Sequence, residues 1–68
     1  MPRDINQEYS YLAALINIRM GYFDDAARIS AGFDKDDPYA PYLYFNLGVA
    51  FGKSGETARA IDNLMKSA

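Results

Sequence analysis

The chain has 68 residues, a net charge of -2, and neither cysteine nor histidine. These numbers allow one small domain and exclude disulfides, thiolate zinc sites and imidazole ligands. The seven basic residues are scattered, so the concentrated positive patch of a nucleic-acid binder is missing.

No apolar run approaches the roughly 20 residues that span a bilayer, and the polar N-terminus does not have the pattern of a signal peptide. We therefore expect a soluble protein that binds no cofactor, no nucleic acid and no membrane interior. The absence of cysteine leaves a cytoplasmic and a periplasmic location equally open.

Two helices are predicted in the N-terminal half. Apolar residues at helical spacing predict a first helix from about residue 5 or 6 to Met20, ended by Gly21. A second helix is predicted over residues 23–31. We expect Gly32 to adopt the left-handed conformation that commonly follows a helix, with Phe33 making the hydrophobic contact that accompanies such a cap.

Two further helices are predicted after the polar connector DKDDP at residues 34–38. The third runs from about residue 39 to Lys53, with Asp36 or Asp37 available as a cap and prolines in its first turn. A Ser54-Gly55 turn leads to the fourth helix, predicted over residues 56–67. No segment has the alternation of a strand, so the predicted fold class is all-α.

An internal repeat relates the two halves of the chain at one constant offset. The interval from Gly21 to Gly55 equals the interval from Ala26 to Ala60, and we call this interval the repeat offset. The same offset pairs Ala13 with Leu47, Ala14 with Gly48, and Arg19 with Lys53. Self-similarity at a fixed period of this kind is typical of helical repeat proteins.

The second half reads Tyr44-x2-Leu47-Gly48-x2-Phe51, then Gly55, then Ala60-x3-Leu64. This pattern resembles the tetratricopeptide repeat (TPR), whose unit of about 34 residues reads W-x2-L-G-x2-Y, A-x3-F and a closing proline. The repeat offset matches the length of that unit. In the first half the positions that fit are Gly21, Phe23, Ala26 and Pro38, whereas Ser10, Asn17 and Ser30 replace large apolar residues.

The resemblance implies a single domain of two antiparallel helix-turn-helix hairpins, stacked as a short right-handed superhelical solenoid. Repeat one would cover about residues 7–40 and repeat two about residues 41–68, as a segment of a longer array. The small residues Gly48 and Ala60 would let the third and fourth helices approach closely. The seam around them would be filled by Tyr44, Leu47, Phe51, Ile61 and Leu64.

In the tetratricopeptide family the first helix of each unit lines a concave groove. The resemblance therefore implies a groove that binds an apolar or aromatic peptide or a partner helix, as in a scaffold or a chaperone-type adaptor. The implied groove residues are Glu8, Tyr11, Leu12, Leu15, Ile18, Arg19, Tyr42, Phe45, Asn46, Val49 and Lys53.

A subclass of the family holds a peptide's C-terminal carboxylate with a Lys and Asn clamp. Of the corresponding positions here, Tyr11, Leu15 and Asn46, the last alone fits that pattern. We therefore do not expect acidic C-terminal peptides of the heat-shock-chaperone type as ligands.

Other interpretations of these residues remain open. Tyr and Phe at helical spacing are as consistent with ordinary core as with a binding surface. A second function is structural self-assembly, in which another copy of the chain buries the apolar groove or the open ends.

An enzyme is not expected. The sequence Gly52-Lys53-Ser54-Gly55 lacks the strand and spacing of a phosphate-binding loop. Asp34–Asp37 lacks the glycine and distal glutamate of a calcium loop. No residue is predicted to be catalytic, cofactor-binding or metal-binding.

Overall fold

The computed structural model describes residues 2–34 and 36–68, so Lys35 of the connector lies outside the described residues. Four helices form within this part of the chain: α1 (Pro2–Arg19), α2 (Phe23–Ala31), α3 (Ala40–Lys53) and α4 (Thr57–Ser67). The described residues contain no strand, which confirms the predicted all-α class.

The observed helix bounds differ most from the prediction at the start of α1. The helix begins at Pro2, several residues before the predicted start. Proline suits this first helical position because its missing N–H would have no intrahelical partner there. The bounds of α2 are as predicted, and α3 and α4 each begin one residue later than expected. The proposed repeat boundary at residues 40–41 therefore falls within the first turn of α3.

The turns after α1 and α3 share one geometry. Gly21 and Gly55 both have positive φ, at 86° and 87°. The N–H of Tyr22 donates to the carbonyl of Asn17 at 2.8 Å, and the N–H of Glu56 donates to that of Phe51 at 2.9 Å. Each bond satisfies a carbonyl at a helix end. The repeat offset of the sequence is thus reproduced in the backbone hydrogen bonds.

Gly32 does not adopt the predicted left-handed conformation. Its φ is -81°, and its N–H donates to the carbonyl of Ile29 at 3.1 Å. The next N–H, that of Phe33, donates to Ser30 at the same distance, so α2 ends in a tightened last turn that satisfies these carbonyls without a left-handed residue. The expected hydrophobic contact is nonetheless made, because Phe33 is buried in the core.

The connector between α2 and α3 is fixed by Asp37. One carboxylate oxygen accepts a hydrogen bond from the backbone N–H of Tyr39, the N-cap residue of α3, at 2.9 Å. The other accepts a hydrogen bond from the Gln7 side chain on α1 at 2.6 Å. The sequence predicted that Asp37 could cap α3, but Tyr39 is the N-cap residue. Asp37 instead links the start of α3 to α1.

The core consists of two clusters, and α3 contributes to both. The first contains Ala14, Phe33, Ala40 and Leu43, and the second contains Ala26, Leu47, Phe51 and Ala60. Helix α3 packs against α1, α2 and α4, whereas α4 packs mainly on α3. The molecule measures 39 × 24 × 13 Å, so its thinnest dimension is close to the diameter of one helix.

The seam between α3 and α4 is close at Gly48, as predicted. A Cβ atom on Gly48 would lie 2.6 Å from Cγ of Leu64 and 3.2 Å from the carbonyl oxygen of Ala60. The prediction was wrong for Ile61, which is exposed because α4 turns Ala60 and Asn63 toward the core instead. Leu64 touches the seam but is 39% exposed.

Candidate functional site

A groove runs between α1 and α3 and consists of two adjoining cavities. The larger has a volume of about 450 Å³ and is lined by Tyr11, Leu12, Leu15, Ile16, Ile18, Arg19 and Asn46. The other has a volume of about 320 Å³ and is lined by Ile18, Arg19, Phe23, Asn46, Val49, Ala50 and Lys53. Because Ile18, Arg19 and Asn46 line both, we treat the two as one feature, the α1–α3 groove.

The structure brings most of the predicted site residues together in this groove. The lining includes Tyr11, Leu12, Leu15, Ile18, Arg19, Asn46, Val49 and Lys53. Glu8, Tyr42 and Phe45 are exposed but do not line either cavity. Eight of the eleven residues that the family resemblance implied therefore line the groove, whereas Tyr42 and Phe45, on the N-terminal half of α3, do not.

Several groove residues also belong to the core. The ring of Tyr11 stacks on that of Tyr39, with centroids 4.7 Å apart. Leu15 and Ile18 each pack against a buried cluster and are only partly exposed. These side chains form a fixed floor, so the core and surface interpretations both hold for the same residues.

The charged residues of the groove lie where α1 and α3 end. Arg19 and Lys53 occupy the last turns of α1 and α3, where the helix dipole favours a positive charge. Within the part of the chain that the structure describes, neither is paired with a carboxylate. Both charges are exposed and can interact with an acidic group on a ligand.

Asn46 lies in the middle of the groove, and its side-chain amide is engaged on its own helix. Its Nδ2 donates to the carbonyl oxygen of Tyr42 at 2.7 Å. This hydrogen bond uses one of the two N–H donors of the amide, so the other can still donate to a ligand.

Three lining residues were not predicted: Ile16, Phe23 and Ala50. Phe23 is the first residue of α2, and its ring meets that of Phe51 edge to face at 5.6 Å. The turn at Gly21 brings it beside the end of α1. The short interval between Gly21 and Phe23 was the available signal, because a tight turn keeps the start of one helix near the end of the previous one.

A further cavity of about 400 Å³ lies between the start of α3 and the end of α4. It is lined by Phe33, Ala40, Pro41, Tyr44, Lys66 and Ala68, none of which was a predicted groove residue. The ammonium of Lys66 lies 5.5 Å from the centre of the Tyr44 ring. This cavity is separate in its lining from the α1–α3 groove.

Among the described residues, no three acidic side chains are grouped closely enough to hold a metal ion. Over the same residues, no helix has the combined length and hydropathy of a membrane span.

Comparison of the chain with protein-family models, with curated proteins and with solved structures found no match.

Proposed function

We propose that this chain is a protein-interaction module of two TPR-like helical hairpins, and that it binds a peptide or partner helix in the α1–α3 groove. The groove itself is the observation that carries the proposal. Its walls are mostly apolar side chains, its floor is fixed by the core, and unpaired positive charges mark one end. Exposed apolar surface of this kind is typical of interaction sites.

The TPR-like arrangement is supported by the packing. The two glycine turns have the same hydrogen bonds, separated by the repeat offset. Gly48, at the position where the family has a small residue, lies so close to Leu64 and Ala60 of α4 that a Cβ atom would not fit without a shift. Helix α3 contacts each of the other three helices, as the first helix of a second unit would.

The groove suits a peptide with apolar anchors and an acidic residue. Leu12 and Val49 offer exposed aliphatic surface on opposite walls. Arg19 and Lys53 attract a carboxylate at the end where α1 and α3 finish. Apolar anchors supply the affinity, and the charges fix the direction in which the peptide lies.

The proposal is tested by titrating the ¹⁵N-labelled chain with a synthetic peptide and following amide chemical shifts. The probe is a helical peptide of about 12 residues, with leucines at positions i, i+3, i+4 and i+7 and glutamates at one end. We expect shifts at Leu12, Ile18, Asn46 and Val49. A scrambled peptide of the same composition serves as control.

Charge reversal identifies the polar end of the groove. The double variant Arg19→Glu, Lys53→Glu is expected to bind the peptide about 3- to 10-fold more weakly, the range for exposed ion pairs. Arg28→Glu, on the exposed side of α2, is the matched control and is expected to bind normally. Absence of binding, or shifts confined to α4, would contradict the proposal.

A further inference from the structure

The end of the molecule formed by α3 and α4 is apolar and uncovered. Phe45 and Ile61 are each 54% exposed. We define the α3–α4 end face by its exposed apolar side chains: Phe45, Val49, Ile61 and Leu64. In the described part of the chain, α4 has no closely packed neighbouring helix other than α3, although Val49 also lines the α1–α3 groove.

The first half of the chain shows what covers the equivalent surface. The counterparts of Phe45, Val49 and Ile61, one repeat offset earlier, are Tyr11, Leu15 and Ala27. These three are partly buried against the core clusters. Helix α3 provides the cover through its buried leucines, Leu43 and Leu47. The end face therefore has the side-chain arrangement that accepts a helix like α3.

Helix α1 carries a matching stripe on the side away from the core. The counterparts of Leu43, Leu47 and Ala50 are Tyr9, Ala13 and Ile16, all of them exposed. With Met20 they form one stripe at helical spacing, the α1 outer stripe. Thus one end of the molecule presents a helix that resembles α3, and the other end presents a surface that α3 would fit.

The charges at the two ends of the molecule are complementary when α1 of a second copy is placed on α4 in the orientation that α3 has on α2. Helix α3 runs antiparallel to α2, because Tyr44 donates a hydrogen bond to the carbonyl of Ser30 and Phe51 contacts Phe23. An α1 helix placed in the same way would run antiparallel to α4. Its Arg19 would then lie at the Glu56 end of α4, and its Glu8 at the Lys66 end.

From this geometry we infer that copies of the chain associate head to tail, with the α1 outer stripe of one copy on the α3–α4 end face of the next. Such an interface is heterologous, so it produces rings or open chains instead of a symmetric dimer. The groove shares Ile16 with the outer stripe and Val49 with the end face, whereas Leu12, Ile18 and Asn46 lie outside both contact surfaces. Ala13 and Ile61 line neither cavity of the groove, so substitutions at these two positions test self-association without altering a groove residue.

Sedimentation equilibrium on the wild type and on two variants tests the inference. The average mass of the wild type is expected to rise above twice the monomer mass with increasing concentration. Ala13→Glu places a charge in the outer stripe, and Ile61→Glu places one in the end face. Each is expected to weaken association more than about tenfold, because the carboxylate would be buried without a partner. Both positions are exposed in helices, so the monomer fold should persist in circular dichroism spectra.

Mixing the two variants gives the decisive measurement. Each retains the surface that the other has altered, so a 1:1 mixture is expected to form a dimer that grows no further. In that mixture, labelled Ala13→Glu should show amide shifts on its end face, and labelled Ile61→Glu on its outer stripe. Arg28→Glu, outside both surfaces, is the control and should assemble as the wild type does.

Two results would overturn the inference. One is a wild-type chain that stays monomeric up to about 1 mM, a concentration at which even a weak interface is populated. The other is a mixture of the two variants that remains monomeric while the wild type assembles, because this would indicate a symmetric contact or a different surface.

Discussion

At the scale of single residues, Gly48 is the glycine with the least space for a side chain, because α4 lies directly against it. Gly48→Ala would place a Cβ 3.2 Å from the backbone oxygen of Ala60 and against Leu64. We expect a net loss of about 1–3 kcal/mol in the free energy of unfolding, despite the better helix propensity of alanine. Urea denaturation followed by circular dichroism measures this loss.

Gly52 provides the matched control on the same helix. A Cβ there would meet only the Cβ of Ala60, at an ordinary 3.7 Å. Gly52→Ala should therefore stabilise the chain by about 0.5–1 kcal/mol, the difference in helix propensity. Equal effects of the two substitutions would show that α3 and α4 do not approach as described.

The glycines that follow helices α1, α2 and α3 are not equivalent. Gly55→Ala is expected to cost about 1–2 kcal/mol, because its φ of 87° is unfavourable for a residue with a Cβ. Gly32→Ala is expected to be nearly neutral, because its φ is -81°. Thermal unfolding of the two variants checks this order. A large loss of stability for Gly32→Ala would instead favour the left-handed cap that the sequence predicted.

Leu64 illustrates how exposure changes an expected energy. A fully buried leucine replaced by alanine costs roughly 2–5 kcal/mol. Since Leu64 is 39% exposed in the monomer, we expect Leu64→Ala to cost about 1 kcal/mol when the chain is dilute. The loss should be largely suppressed in the Gly48→Ala background, where removal of the Leu64 side chain relieves the clash. A double-mutant cycle from denaturation midpoints measures this coupling.

At the scale of secondary-structure elements, α4 contributes the fewest side chains to the two core clusters and the partly buried residues packed against them. Among the described residues, Ala60 is its only member of the buried clusters. Arg59 adds a contact to α2 through Asp24, at 2.9 Å, and lies over the ring of Phe51. The hydrogen bond with Asp24 raises the pKa of the Arg59 guanidinium, which is charged in any case at neutral pH.

Because α4 contributes fewer side chains to the core than α3 does, we expect α4 to open locally before α3. Amides of α4 are expected to exchange with solvent from a lower-energy opening than those of α3, which contributes to both core clusters. Hydrogen exchange followed by NMR, on a sample dilute enough to be monomeric, measures the protection of each helix. Equal protection of the amides in α3 and α4 would contradict this prediction. It would show that packing on α3 stabilises α4 as much as the core stabilises α3.

At the scale of the whole molecule, the short third dimension of the fold limits its stability. A body 13 Å across in its shortest dimension leaves one side of every helix exposed, so its core is small. Head-to-tail association would bury more apolar surface and make stability depend on concentration. We expect the melting temperature of the wild type to rise by several degrees over a hundredfold increase in concentration, and that of Ile61→Glu to remain constant. Differential scanning calorimetry at matched concentrations makes the comparison.

Sequence pattern alone was sufficient for the four helices, for the correspondence between the two halves and for the role of Gly48, because all of these follow from local spacing and residue size. Eight of the residues that line the groove are among those that the resemblance to the tetratricopeptide family implied, which helical spacing alone did not single out. The predictions of a left-handed backbone at Gly32 and of the first residue of α1 were wrong, because several helix-end conformations are compatible with the same residues.

Tertiary packing decided which apolar residues are core and which are surface. Tyr11 and Phe45 occupy equivalent positions in the sequence, yet only Tyr11 is covered, because α3 follows the first hairpin and no described helix follows the second. Likewise Ile61 has the composition of a core residue and is exposed. Periodicity specifies the face on which a side chain lies, whereas burial depends on whether another element occupies the space beyond that face.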